Sequence, residues 1–473
     1  PPPPPPTFQA EDGIRDESLR LVGSEMCIRD RYNPYRITKE GIDWEVEDPD
    51  DPWSYIGYWG DHQIIYLQKL LELSNQFHPE ELGKLLHRNI FCYANVPYRI
   101  KPFSALLVDA KCTVSYDRDL ANQIDQRVAR VGADGKLILD GKDDVYQVNL
   151  LEKLLVPLLC KLGNLVIDGG IWLNTQRPEW NDANNALVGQ GLSMVTLYYM
   201  RRYICFLQAL LSNQPVSSRL TVEVSHWLTD IATVLANVRS ELVGKPLDPG
   251  QRYQVTAALG EAASRYREAV YCQASFTDKV AQPLDAIRAM LDDALVAIDH
   301  TIAVNHRPDG LYHAYNLMKL QPGTLEINSL YPMLEGQVAY LSAGAIDPEK
   351  AVSVLEALFE SDIYLPDQQT FMLYPDRQLP GFLAKNRISA GQIKTIPLLE
   401  KMLSQGDESV VLRDADGCYR FNANFTHIGD LGSRLDELQS RYGDELEVAR
   451  EPIGLLYEQV FNHQAFTGRS GGM

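Results

Sequence analysis

The sequence has no CxxC pair, no HExxH and no GxxxxGK[ST]. It therefore lacks the usual marks of a zinc site, a zinc protease or a nucleotide-binding loop. No apolar run reaches the length of about 20 residues that spans a bilayer, so no membrane partner is expected. Basic residues are scarce against acidic ones, 44 to 63, and the net charge is −19. A nucleic-acid partner, which needs a basic surface, is not expected either. The nine histidines are spread singly, and no metal or cofactor is expected. The seven cysteines (Cys27, Cys92, Cys112, Cys160, Cys205, Cys272 and Cys418) are scattered, several in apolar helical runs. They read as core thiols and favour a cytoplasmic setting, although the native N-terminus and any signal peptide are expected to be missing.

What is abundant is helix-period apolar sequence, carboxylate, amide and aromatic side chains. The 473 residues are 45% hydrophobic, enough for a large core or two domains. The first thirty-one residues show no periodicity. Their segments AEDGIRD and LVGSEMCIRDR resemble translated sequencing adapters, so 1–31 is read as an artefact or a disordered tail, and 32–473 as one catalytic-type domain. The ending FTGRSGGM reads as a chain cut inside a motif, so a fragment is expected.

From Asn149 to His306 the spacing predicts long helices over 150–165, 183–212, 217–242, 249–272 and 278–303, joined by short links such as SNQPV and QASFT. Further helices are expected over 431–441 and 451–462. A small hairpin is expected around KLILD (136–140), between two turn signals. Asp414-x-Asp416-Gly417 reads as a turn rather than a calcium loop, because the later glutamate is missing.

The chain is organised around Gly169–Gly191, GGIWLNTQRPEWNDANNALVGQG. Here Trp172 and Trp180 sit among amides and charges between two apolar helical runs. Flat apolar faces beside fixed amides and carboxylates suit a sugar. Arg177 and Asn181 belong to the same set. Tyr58, Trp59 and Asp61, clustered at the start of a predicted helix, are candidates for a second wall, with Asp61 at the N-cap position. Two carboxyl groups sharing acid and base roles would complete glycosidic chemistry.

PEWNDANNAL (178–187) resembles the Trp-Asn-Asp segment of cellobiose phosphorylase and its relatives. Tyr457-Glu458-Gln459 is similar to the Glu-Gln segment of glucoamylase-like enzymes. The stretch 57–471 also looks like a family of large bacterial proteins related to six-hairpin glycosidases. The resemblance implies an all-α (α/α)6 toroid with small β-hairpin insertions, incomplete at its C-terminal end. It implies Asp182 as general acid, flanked by Trp180 and Asn181, and Glu458 as base, with Glu335 of LYPMLEGQ as the alternative. The phosphorylases usually carry a glycine where this chain has Ala183-Asn184-Asn185. The leading expectation is an inverting glycoside hydrolase acting on an oligo- or polysaccharide. The alternative is a phosphorylase, with Thr467, Gly468, Arg469 and Ser470 cradling inorganic phosphate. A third reading is a glycan-binding toroid without catalysis.

Overall fold

A computed structural model describes residues 36–38, 41–43, 60–95, 97–110, 112–142, 144–174, 187, 189–212, 214, 216–242, 244–273, 276, 278–344, 347–376 and 381–461. It divides into two compact units, Pro1–Pro375 and Asp376–Met473.

The first unit is built on long helices: α1 (Gly60–Phe77), α2 (Leu150–Leu162), α3 (Met194–Leu211), α4 (Val222–Val238), α5 (Pro249–Gln273) and α6 (Leu284–Val304). Helix α2 is apolar on nearly every side, and Leu151, Leu154, Leu155, Leu158, Leu159 and Leu162 are all inaccessible to solvent. Such a helix is stable only inside a core. Its polar residues are paired accordingly. Glu152 accepts from the Tyr93 hydroxyl and from the Thr221 amide at the start of α4. Burial pushes the Glu152 carboxyl up, against those hydrogen bonds. Lys153 donates to the Cys92 carbonyl. Helix α3 packs on α1 and α6, and α4 packs on α5 and α6.

The expected all-α (α/α)6 toroid is corrected by the sheets. Strands β1 (Leu165–Val166), β2 (Gly170–Trp172), β3 (Gly191–Ser193), β4 (Tyr315–Gln321) and β5 (Thr324–Ser329) form one antiparallel sheet in the order β5-β4-β3-β2-β1. The opening residues of the two helices expected over 217–242 and 278–303 are strands instead. Ser217–Thr221 pairs antiparallel with Lys279–Pro283, immediately ahead of α4 and α6. The aromatic stretch 91–103 contributes Tyr98–Ile100 to a two-stranded ladder with Val114–Tyr116. Around KLILD, isolated bridges join Ala94 to Leu137 and Leu139 to Val145. The helix expected from Ala183 is in place from Met194, where the Ser193 hydroxyl accepts from the Thr196 amide as N-cap. Helix α1 begins at Gly60, so Asp61 lies inside its first turn rather than at the cap.

Gln321-Pro322-Gly323-Thr324 turns β4 into β5. Gly323 has φ 80°, the left-handed value that Gly supplies after Pro in a type II turn. Beyond β5 come α7 (Leu334–Ser342) and α8 (Pro348–Glu360), the latter N-capped by Asp347.

The second unit has its own core. Helix α9 (Pro397–Ser404) and the hairpin of β6 (Val411–Arg413) and β7 (Tyr419–Phe421) pack with α10 (Ile428–Phe461). Leu399, Val410, Phe421, Leu446 and Ile453 are buried together there. The two helices expected over 431–441 and 451–462 are both present in α10, parted where Gly443 leaves helical geometry at φ 50°. Asp414 and Gly417 form the β6–β7 turn, and Asp414 accepts from the Cys418 amide and pairs with Arg420.

Candidate active site

The segment carrying Arg177, Glu179, Trp180, Asn181 and Asp182 lies outside the described residues. So do Tyr58, Trp59, Thr467, Gly468, Arg469, Ser470 and residues 1–31, and the side chain of Asp61. The stem from which 175–186 departs is described. It continues the β2–β3 ladder: the Leu173 amide donates to the Gly191 carbonyl (2.9 Å) and the Gly189 amide to the Leu173 carbonyl (2.7 Å). Trp172, at 3% exposure, donates its indole N–H to the Gly189 carbonyl at 3.1 Å and meets the Phe103 ring edge-on. Its ring therefore packs the stem. Asn174 is held from two sides. Its carbonyl accepts from the buried Thr113 hydroxyl (2.5 Å), and its amide donates to Asn164 Oδ1 (2.7 Å).

The other end of the β1–β2 hairpin holds a buried charge network that sequence reasoning missed. Asp168 is 4% exposed and sits at φ 69°, the left-handed region unusual for a residue with a Cβ. One carboxylate oxygen accepts from Arg252 and the Leu247 amide, each at 2.8 Å. The other meets His300 Nε2 at 2.9 Å. Burial opposes ionisation of Asp168, but the His300 and Arg252 hydrogen bonds outweigh it and hold the carboxyl below its usual range. Asn305 donates to the Asp168 carbonyl, and Asn316 donates to the Gly169 carbonyl and to Asn305 Oδ1. Gly170, at φ 120°, lets β2 approach β3: a Cβ there would fall 2.8 Å from the Ser193 backbone. The network thus sets where β2 starts, two strands' width from β4.

Glu335 and Glu458 belong to different units. Glu335 opens α7, half-buried, and accepts from the Tyr315 hydroxyl at 3.2 Å. Glu458 lies in the last turns of α10, also half-buried, beside Tyr457, which packs among Phe421, Phe425 and Phe461. Among the described residues no group of three or more His, Cys, Asp or Glu is placed to hold a metal ion, and no helix is long and apolar enough to cross a membrane.

Residues 379–464 match the family model for GH149 phosphorylase insertion domain 2, so this segment is similar to part of a carbohydrate-active enzyme. The match coincides closely with the second unit, and it includes Glu458. No curated protein matches the chain.

Proposed function

We propose that the chain is a glycoside phosphorylase or a large piece of one. The observation that carries this is the likeness of 379–464 to a phosphorylase insertion domain. It favours the phosphorylase over the hydrolase that the sequence put first, and it agrees with the resemblance of PEWNDANNAL to cellobiose phosphorylase. In this reading Asp182 protonates the glycosidic oxygen as the bond to the anomeric carbon breaks. Inorganic phosphate attacks that carbon from the opposite face, giving an inverted sugar 1-phosphate and a glycan shortened by one unit. Trp180, Asn181, Arg177, Tyr58, Trp59 and Asp61 are proposed as sugar contacts, and Thr467, Gly468, Arg469 and Ser470 as the phosphate cradle.

Phosphate replaces the activated water, so no second carboxylate is required as a base. A carboxylate at the nucleophile's position would repel the phosphate. Glu458, in the segment similar to an insertion domain, is therefore released from the base role. The test is product analysis of glycan cleavage with and without phosphate: sugar 1-phosphate is expected, and phosphate-independent release of free sugar would restore the hydrolase.

A further inference from the structure

Asp182, the general acid proposed above, stands eight residues beyond Asn174 and five before Leu187 in the chain. Both of those ends are tied. Leu187 is inaccessible to solvent, and its carbonyl accepts from the Gln190 amide at 3.1 Å. Gly191 is pressed onto it: a Cβ at 191 would lie 2.4 Å from the Leu187 Cβ. The Trp172 indole crosses to the Gly189 carbonyl at 3.1 Å and so joins the two strands of the stem. Behind Trp172, the Phe103 ring fits only because α5 carries Gly260, where a Cβ would lie 2.2 Å from that ring.

Asn174 is held by side chains from two other parts of the chain. The Thr113 hydroxyl, 1% exposed, donates to its carbonyl (2.5 Å), and its side-chain amide donates to Asn164 Oδ1 (2.7 Å). Both partners are placed in turn. Thr113 leads into the strand Val114–Tyr116, and its carbonyl accepts from the Lys101 amide at 2.8 Å. Asn164 follows α2 and donates to the Cys160 carbonyl at 3.1 Å, while its own carbonyl accepts from the Trp172 amide at 2.9 Å. Fixing both ends of a segment removes many of the positions open to a side chain along it. Catalysis is sensitive to that choice, since a misplacement of about 1 Å can cost on the order of 10²-fold.

We infer that Thr113 and Asn164 are positioning residues for the reaction. By fixing Asn174 they set where the segment carrying Asp182 departs, and so where the acid meets the glycosidic oxygen. This rests on the reading of Asp182 as general acid and deepens it. A purely structural clamp would contribute stability alone, whereas a positioning clamp acts on proton transfer to the leaving group.

The test uses the full chain and its Thr113→Val, Thr113→Ser, Asn164→Ala and Asp182→Asn variants. Each is assayed with phosphate on cellobiose, laminaribiose and maltose, and on 2,4-dinitrophenyl α- and β-glucoside. Dinitrophenolate leaves without a proton, whereas a sugar hydroxyl needs one from the acid. Thr113→Val and Asn164→Ala should lose roughly tenfold or more in kcat on the disaccharide that the parent cleaves, with KM within about twofold. On the dinitrophenyl glucoside of the same configuration kcat should stay within about twofold. Thr113→Ser keeps the hydroxyl and should match the parent on both. Equal loss on both substrates, or a lower melting temperature with both rates kept, would overturn the inference. Asn164 is partly exposed, so its variant keeps the test decisive should Thr113→Val not fold. Asp182→Asn separates the two claims. If it shows the selective loss and the clamp variants do not, the positioning fails and the acid stands. If it shows no selective loss, or the parent cleaves none of these glucosides, the acid reading fails and the inference with it.

Discussion

Asp168 and Arg252 meet at 2.8 Å with both side chains almost wholly buried. They join the tip of the β1–β2 hairpin to the first turns of α5. Charges removed from water are stable only when paired, and taking one away strands the other. Asp168→Ala should therefore lose about 3–5 kcal/mol of stability, read as a lower midpoint in urea. Asp168→Asn, which keeps a hydrogen-bonding amide, should lose less. A neutral Asp168→Ala would mean that the network does not hold the hairpin.

The same aspartate gives a pH signature. Its carboxyl is held below its ordinary value of 3.8. Its contribution is therefore present above that value and is lost as pH falls through the lower folded-state pKa. In Asp168→Asn the steepest acid loss of stability should be reduced below about pH 4, as followed by chemical denaturation at a series of pH values.

His313 acts in a higher window. Burial, helped by Arg307, pushes its imidazole from the ordinary 6.5 down to about 4. The unfolded chain then binds a proton that the folded chain refuses. Stability from this group is complete above 6.5 and declines as pH falls toward about 4. His313→Gln should flatten the stability curve between those values and change little at pH 8. An unaltered slope there would show that His313 is not the group responsible.

The second unit should be a folding unit. It has a core of its own, and Asp407 clamps the bend of α10 by accepting from Tyr442 (2.7 Å) and Arg441 (2.8 Å). Residues 376–473 expressed alone should unfold in one cooperative thermal transition. Tyr442→Phe should lower its midpoint by a few degrees, since a hydrogen bond to a charged group contributes about 1.5–3 kcal/mol. A non-cooperative melt would mean that the unit depends on the rest of the chain.

The helices were readable because their apolar residues recur at helical spacing over many turns, as in Leu150–Leu162. The strands were not. Leu165–Val166, Gly170–Trp172 and Gly191–Ser193 are two or three residues long and buried on both faces, so no alternation could show. Gly170 and the Pro322-Gly323 turn were visible as residues, but only the pairing of β2 with β3 and of β4 with β5 gives them a reason. The Asp168 network was invisible for a different cause: its partners at 252, 300, 305 and 316 are brought together by the fold alone. Glu335 was visible beside Pro332, yet its Tyr315 partner arrives from elsewhere in the chain. The placement of Asp182 and its neighbours falls outside the described residues, so their role rests on the motif.

The central claim is that phosphate, not water, takes the glycosyl group from a bond protonated by Asp182. The most direct measurement is the rate of sugar 1-phosphate formation from a glycan panel against phosphate concentration, for the parent chain and Asp182→Asn. The account predicts saturable dependence on phosphate in the parent. It also predicts a loss on the order of 10²–10⁴-fold in the variant, with an unchanged melting temperature because Asn keeps the size and shape of the Asp side chain. Glycan cleavage that proceeds at the same rate without phosphate, or an Asp182→Asn variant with full activity, would contradict it.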